Sequence, residues 1–584
     1  MRSVPERSRG PLFKNYSSAI ESSGSAFVIC PFNSTGMNRL FLSLFSLISL
    51  AVPAQVQEYK DQYPNGKTRS EGNYVNGFEE GVWKYYYETG TLQEQANYKK
   101  GKLHGSVNRY HPNGKLMVEG YFDLNVQDSI QRTFTAEGIL VEEGQYLKGS
   151  KTGRWNYFFA TGDTMMVEEF VGPEELLWLY CDANKIRTVS NGSGIMEEKF
   201  ENGKILRSSS YKNGKLDGPF VENYNGGSVR IRGNYKEGKE DGLWEEQYPS
   251  GNMKRHAHYK MGILHGQFTE KYSKGQVSVT GNYSEGKKTG HWIWYLENGI
   301  MDMQGDFVND LQEGEWTFYY GNGEREYWGN YEKGKMNGFW QWHYWEGKKW
   351  KSGDMVNDKK HGLWKYWYED GKPMMEGNFK YDLEEGAWTS WYSNGYIQDV
   401  GNYEHGQMNG KWTGNHSNGV KSYEGEWSIV KSKDQFAQTM SDLYKIKTDT
   451  LPKVKSGDVK HGKWTYWSEK GSVEKIETYG ADGSLHGPFE SYNNGRLESK
   501  GSYKKGKPDG KWSYFHPHGA PMRDCTYKEG KLNGKSVIYD ARGRIIEESN
   551  YKSNKLDGTY ISYDEKTGKE KIRIEYENGK AKQN

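Results

Sequence analysis

The sequence predicts an all-β protein, a tandem array of about nineteen 24-residue β-hairpin repeats forming an elongated, twisted antiparallel meander. Three observations carry this expectation. Glycine recurs at a fixed interval, and the residues between glycines alternate in character with a period of two. The chain is only 34% hydrophobic yet 15% aromatic, with 21 Trp and 45 Tyr. An ordinary aliphatic core is therefore excluded, and so is a disordered chain, which would be poor in aromatics.

The interval is read from an anchor glycine. From Gly194 through Gly218, Gly242 and onward to Gly410, every step is 24 residues. Two residues after the anchor stands Trp83, Trp155, Trp244, Trp292, Trp316, Trp340, Trp364, Trp388, Trp412, Trp464 or Trp512. Tyrosines follow four and six residues after it, as at Tyr85 and Tyr87, so the segment reads as a half-buried strand. Asn-Gly pairs such as Asn113-Gly114, Asn298-Gly299 and Asn394-Gly395 then turn the chain, since both residues tolerate the positive φ of a tight hairpin. The returning strand carries a glycine near anchor +15 and an aromatic near +17, as Gly281 and Tyr283. A side-chain-free glycine there leaves room for a neighbouring aromatic to lie flat. A Gly-Lys turn leads into the next repeat.

Two intervals are long, Gly153 to Gly194 and Gly410 to Gly462. They divide the chain into repeats over 55–193 with an insert near 170–191, a regular array over 194–427, an insert over 428–459, and repeats over 460–584. Both inserts are expected to be surface loops, the second with a short helix over Gln435 to Lys447. Ahead of the repeats, Met37-Asn38-Arg39, the apolar run Leu40 to Leu50 and the small residues at Ala51 and Ala54 read as a secretory signal peptide over 37–54, cut after Ala54. Residues 1–36 then form a leader or a non-native extension. The expected product is exported, to the periplasm or outside the cell, and does not span a membrane.

The string Gly-Asn-Tyr-x-x-Gly-Lys-x-x-Gly-x-Trp-x-x-Tyr-x-x-Asn-Gly resembles the bacterial variant of the MORN repeat. It stands nearly whole from Gly281-Asn282-Tyr283 to Gly299 and from Gly401 to Gly419, where His416 replaces the tyrosine. The resemblance covers about residues 59–580. It implies an all-β meander of hairpins with a role in protein or lipid contact, and it does not imply a catalytic residue. Proteins with this repeat are often labelled antitoxin components of toxin–antitoxin modules. An export signal and so long an array depart from that description.

Chemistry-bearing patterns are few. With 79 basic and 77 acidic residues, the chain carries a formal charge of only +2, which does not point to nucleic acid. Cys30, Cys181 and Cys525 make no disulfide framework or metal cluster. His104, His265, His361, His461 and His486 share their slot before the anchor with Asp217, Asn337 and Thr289, so turn tolerance rather than ligation selects them. No cofactor and no metal site is expected. Lys102, Lys215, Lys239, Lys287, Lys335, Lys507 and Lys531 form a column that offers an anionic lipid or polyanion a row of charges. As a solvated edge the same column discourages aggregation, which is the favoured reading. The densest aromatic cluster, Trp340, Trp342, Trp345, Trp350, Trp364, Trp367, Trp388 and Trp391, exceeds what one packed face needs and is the candidate binding surface.

These features point away from an enzyme. The expected function is an exported, extended protein–protein interaction scaffold at the cell envelope. The alternatives are a glycan or cell-wall binder using exposed aromatic columns, and an antitoxin-like protein that neutralises a cognate toxin.

Overall fold

The computed structural model describes residues 55–430 and 457–582. The signal-peptide segment and the expected helix of the second insert lie outside them. The described residues form one sheet of 46 strands with no helix. Successive strands pair antiparallel, except that the two-residue strands Lys239–Glu240, Lys507–Pro508 and Lys555–Leu556 share one partner with the strand that follows each, so the array is a meander of hairpins, as predicted.

The two turns of a repeat are built differently. In the turn that leads into the next repeat, two successive residues take positive φ, for example Asn213 (52°) with Gly214 (82°), or Asn357 (50°) with Asp358 (68°). This is the tight two-residue turn. In the Asn-Gly turn only the glycine does so, as Gly299 at 85°. The bonds Leu296 N to Ile300 O (2.7 Å) and Gly299 N to Leu296 O (2.8 Å) close a wider loop there. The tight-turn expectation thus belonged to the wrong Asn-Gly. Asparagine is favoured in the wider turn for its side chain. Asn113 Oδ1 accepts from Lys115 N (3.0 Å), while its Nδ2 donates to Ala136 O in the next repeat (2.7 Å).

The anchor glycine occupies a bulge. Trp340 pairs with Gly329 and Asn337 with Asn330, so Gly338 and Phe339 are extra residues on their strand, and Gly338 has φ 70°. A bulge in every repeat bends and twists the sheet in the same sense. Ser129 fills the one anchor slot without glycine and still adopts φ 62°, at a cost of about 1 kcal/mol or more for a residue with a Cβ.

The core lies on one face. Each anchor +2 tryptophan lies flat over the +15 glycine of the strand before it. A Cβ built on Gly329 would stand 2.2 Å from Trp340 Cδ2, and one on Gly305 2.2 Å from Trp316 Cδ2. The indole Nε1 donates to the carbonyl next to that glycine, as Trp340 to Asn330 O (3.1 Å). The preceding +17 ring closes the site edge-on, as Tyr331 against Trp340 with centroids 5.0 Å apart. In some repeats a lysine two residues before the anchor covers the indole, as Lys151 over Trp155 at 3.9 Å.

Tyrosines at anchor +6 tie the repeats together. Tyr344 Oη donates to Trp367 O (2.7 Å), Tyr368 to Trp391 O (2.7 Å) and Tyr392 to Asn415 O (2.8 Å), each 23 residues ahead. His416 keeps this rung across the second insert, with Nε2 2.7 Å from Trp467 O. Trp464 likewise lies over Gly425. Strands Lys421–Val430 and Gly457–Trp467 pair up to Val430 and Gly457, so the repeats stack through this point as if the insert were not there.

The first insert is not a loop. Strands Glu174–Cys181 and Arg187–Ser190 continue the meander as a shortened hairpin. Its run Leu176-Leu177-Trp178-Leu179-Tyr180-Cys181 is apolar enough to be a strand, and Leu177 and Val189 are buried.

Candidate binding surface

The eight tryptophans of the candidate surface do not form one plane. Trp340, Trp364 and Trp388 are 0%, 1% and 9% exposed and belong to one core cluster with Met355, Tyr366 and Phe379. They cannot offer a ring face to a ligand. The period that identified them is the period of the core itself, which is why sequence grouped them with a surface. Trp342 packs against the same cluster.

The remaining four lie toward the wide turns. Trp345 is 57% exposed, and its ring centroid lies 5.1 Å from that of Tyr320 in the preceding repeat. Trp350 is half-buried beside Tyr344 at 6.0 Å, with Lys351 Nζ 4.2 Å from its ring. Trp367 and Trp391 are half-buried too, and Lys349 approaches the Trp367 ring at 5.9 Å. Between Trp342 and Tyr344, His343 is buried with no partner for Nδ1, and desolvation holds its imidazole below the usual range. On the opposite face from the core, Phe339 (42% exposed) lies 5.7 Å from Trp328. What the structure brings together is thus a rim of aromatics and lysines around Tyr320, Tyr344, Trp345 and Trp350.

Sequence reading missed a polar group beside the first insert. Lys151 Nζ bonds Glu142 (3.2 Å) and the Tyr157 hydroxyl (2.9 Å). Glu168 shares this environment, and burial pushes its carboxyl up to about 7, with Tyr157 lowering and the neighbouring Glu175 raising it. The pairs Glu168-Glu169 and Glu174-Glu175 on either side of a turn were the available signal. Because the folded pKa lies above the ordinary value of 4.5, the unfolded chain loses this proton first as pH rises. Stability around strand Thr164–Val171 is therefore expected to fall between pH 4.5 and about 7 and to level off above. Glu168→Gln should flatten that dependence and protect these amides more at pH 8 than at pH 5 relative to the parent. An unchanged pH profile of hydrogen exchange in the variant would rule this out.

Cys181 and Cys525 are both buried and unbonded. Among the described residues no group of three or more His, Cys, Asp or Glu is placed to hold a metal ion. No helix there is long and apolar enough to cross a membrane.

The MORN repeat variant family matches residues 58–76, 79–100, 103–123, 193–213, 240–261 and 360–381. No curated protein matches the chain. Among solved structures, TcdB2-TccC3-TEV aligns with 87% of this chain and 26% of its own at 9% identity and a TM-score of 0.12. TcdB2-TccC3 without its hypervariable C-terminal region aligns with 91% and 34% at 10% identity, again with a TM-score of 0.12. The chain spans only about a quarter to a third of those proteins' length, and likeness at that TM-score carries no argument. Six segments of this chain are thus repeats of the MORN repeat variant family, and the same pairing of glycine with tryptophan recurs in repeats outside them.

Proposed function

We propose that the protein is an exported, non-catalytic scaffold that holds protein partners at the cell envelope. The observation that supports this most is the division of labour in the sheet. One face is consumed by the indole–glycine core, and the rungs between repeats take up the tyrosine hydroxyls and turn asparagines. The opposite face and the turn rims carry exposed apolar side chains such as Val82, Ile195, Leu243 and Leu363, with Phe339 paired to Trp328. A long, rigid array with one unoccupied face is the form of a repeat scaffold. The paired Tyr320 and Trp345 rings favour a second reading, a glycan stacked on the exposed rim.

Fractionation of the native host with N-terminal sequencing tests the proposal. A mature chain starting at Gln55 in the periplasmic or secreted fraction is the expected result. An uncleaved cytoplasmic chain would overturn the export reading and favour an antitoxin-like role beside an adjacent toxin gene.

A further inference from the structure

The chain-wide charge balance conceals a strongly basic block. Residues 501–555 hold twelve Lys and Arg against six Asp and Glu, within a chain whose net charge is only +2. The fold places these lysines in order. Tyr503 and Tyr527 turn their rings to Trp512 on the core face. Alternation therefore sends Lys504 and Lys528 to the opposite face, and the same slot holds Lys552 after Tyr551.

Each of these lysines faces another across its tight turn, Lys504 with Lys507, Lys528 with Lys531 and Lys552 with Lys555. All six are exposed, and none makes an ion pair with another described residue. Like charges directly opposed are unfavourable in a strand pair, so their repetition in three successive repeats is not what sheet stability selects. The turns are locked side by side. Gly530 N donates to Pro508 O (2.8 Å), Asn554 N to Leu532 O (2.9 Å) and Gly579 N to Leu556 O (2.8 Å). The Lys507 stem lies along Gly530, 3.5 Å from where a Cβ would stand. Lys511 extends the charge inward beside Thr526, while Lys535, beside Asn550, is neutralised by Glu548 at 3.0 Å.

We infer that this face is a docking surface for a linear anionic polysaccharide, a chain of uronate or similarly charged sugars lying across successive turns. The lysine pairs recur once per hairpin, about 10 Å apart along the sheet. A two-sugar unit of a polyuronate has comparable length, so its carboxylates can meet one pair after another. The residues between the lysines are polar, Ser502, Thr526 and Asn550, and the exposed Met522 farther along that face is a single apolar side chain, well short of the apolar face that interfacial binding needs. Tyr503, Trp512 and Tyr527 lie on the core face, and the two rings on the lysine face, Phe515 near Lys500 Nζ (5.9 Å) and Tyr539 donating to Asp524 (3.0 Å), are half-buried toward the wide turns, so no ring stands among the lysine pairs to stack nucleic-acid bases. The inference deepens the envelope reading above by naming a ligand class, and it rests on that reading for the setting in which such a ligand is met.

The test uses the mature chain, residues 55–584, and immobilised alginate as the probe. Binding is expected at about 50 mM salt and should weaken steeply as salt is raised. Replacing Lys504, Lys507, Lys528, Lys531, Lys552 and Lys555 by Gln should weaken it at least about tenfold. Replacing Lys99, Lys102, Lys236, Lys239, Lys335 and Lys359 by Gln changes net charge equally and should leave it within about twofold. Circular dichroism checks that both variants keep the sheet. Absence of binding at low salt, or equal losses in both variants, would overturn the inference. So would tighter binding to single-stranded DNA or to phosphatidylserine vesicles than to alginate. Because the measurement is made on purified protein, its failure is distinct from a failure of the export reading.

Discussion

Gly329→Ala is expected to destabilise its repeat by about 2–3 kcal/mol, although the same change in an ordinary strand is favourable. Glycine loses more backbone freedom on folding than alanine, so a Gly→Ala exchange normally gains about 0.5–1 kcal/mol. Gly329 does not have a positive φ, and backbone strain does not enter. Space decides the sign. The added methyl would sit 2.2 Å from Trp340 Cδ2 and 2.5 Å from Cε2, atoms of a rigid bicyclic ring that is fully buried. The ring must lift, losing its bond to Asn330 O and its edge contact with Tyr331.

The same argument predicts a rescue. Where the +15 residue is Ala257 the facing ring is Phe268, and where it is Ala96 the partner is Val107. In a Trp340→Phe background, Gly329→Ala should therefore cost less than about 1 kcal/mol, a coupling of about 1–2 kcal/mol between the two positions. Native-state hydrogen exchange of strands Arg325–Glu332 and Lys335–His343 reads both costs locally. Strictly additive costs would show that the glycine is kept for some reason other than the ring.

That pairing rule explains how far the fold was legible. All eleven anchor +2 tryptophans follow a +15 glycine in the repeat before, including Trp464, whose partner Gly425 lies across the second insert. The covariation is internal to one sequence, and it carried both the hairpin period and the flat-ring expectation. Gly120 is the exception that shows its limit, since Gln131 stands where the tryptophan would be and nothing lies closer than 3.9 Å to the missing Cβ. The first insert was misread because spacing alone measures length, whereas its apolar run had the pattern of a strand that stays in the sheet. The candidate surface was only partly legible for a related reason. In a protein whose core is aromatic, Trp364 and Trp345 look alike in composition, and only register separates a ring at 1% exposure from one at 57%. The lysine pairs were seen as a column, but their facing partners become visible only once Lys504 and Lys507 are known to close one tight turn.

Trp364→Ala should have the largest effect of any single truncation in the central repeats, about 3–5 kcal/mol. The indole is 1% exposed, donates to Asp354 O (3.0 Å), and lies 5.5 Å from Trp342, 6.1 Å from Tyr366 and 6.1 Å from Phe379. Its removal also strips Lys360, whose Nζ lies 5.0 Å above the ring, of its cation–π contact while the lysine stays next to Tyr366. How far the damage travels is the more informative quantity. Trp364 belongs to the cluster with Trp340 and Trp388, whereas Trp292 and Trp316 belong to another, and the two meet through Tyr331. In an array whose units touch only their neighbours, the loss should reach strands Lys335–His343 through Leu383–Trp391 and fade before Ile263–Lys271. Hydrogen exchange along the chain distinguishes the alternatives. Protection lost only around residue 364 means that the rungs merely align independent hairpins. Equal loss as far as Phe268 would mean that the tyrosine bonds and shared rings make many repeats unfold together, so that the scaffold is stiff over a length greater than any one binding site.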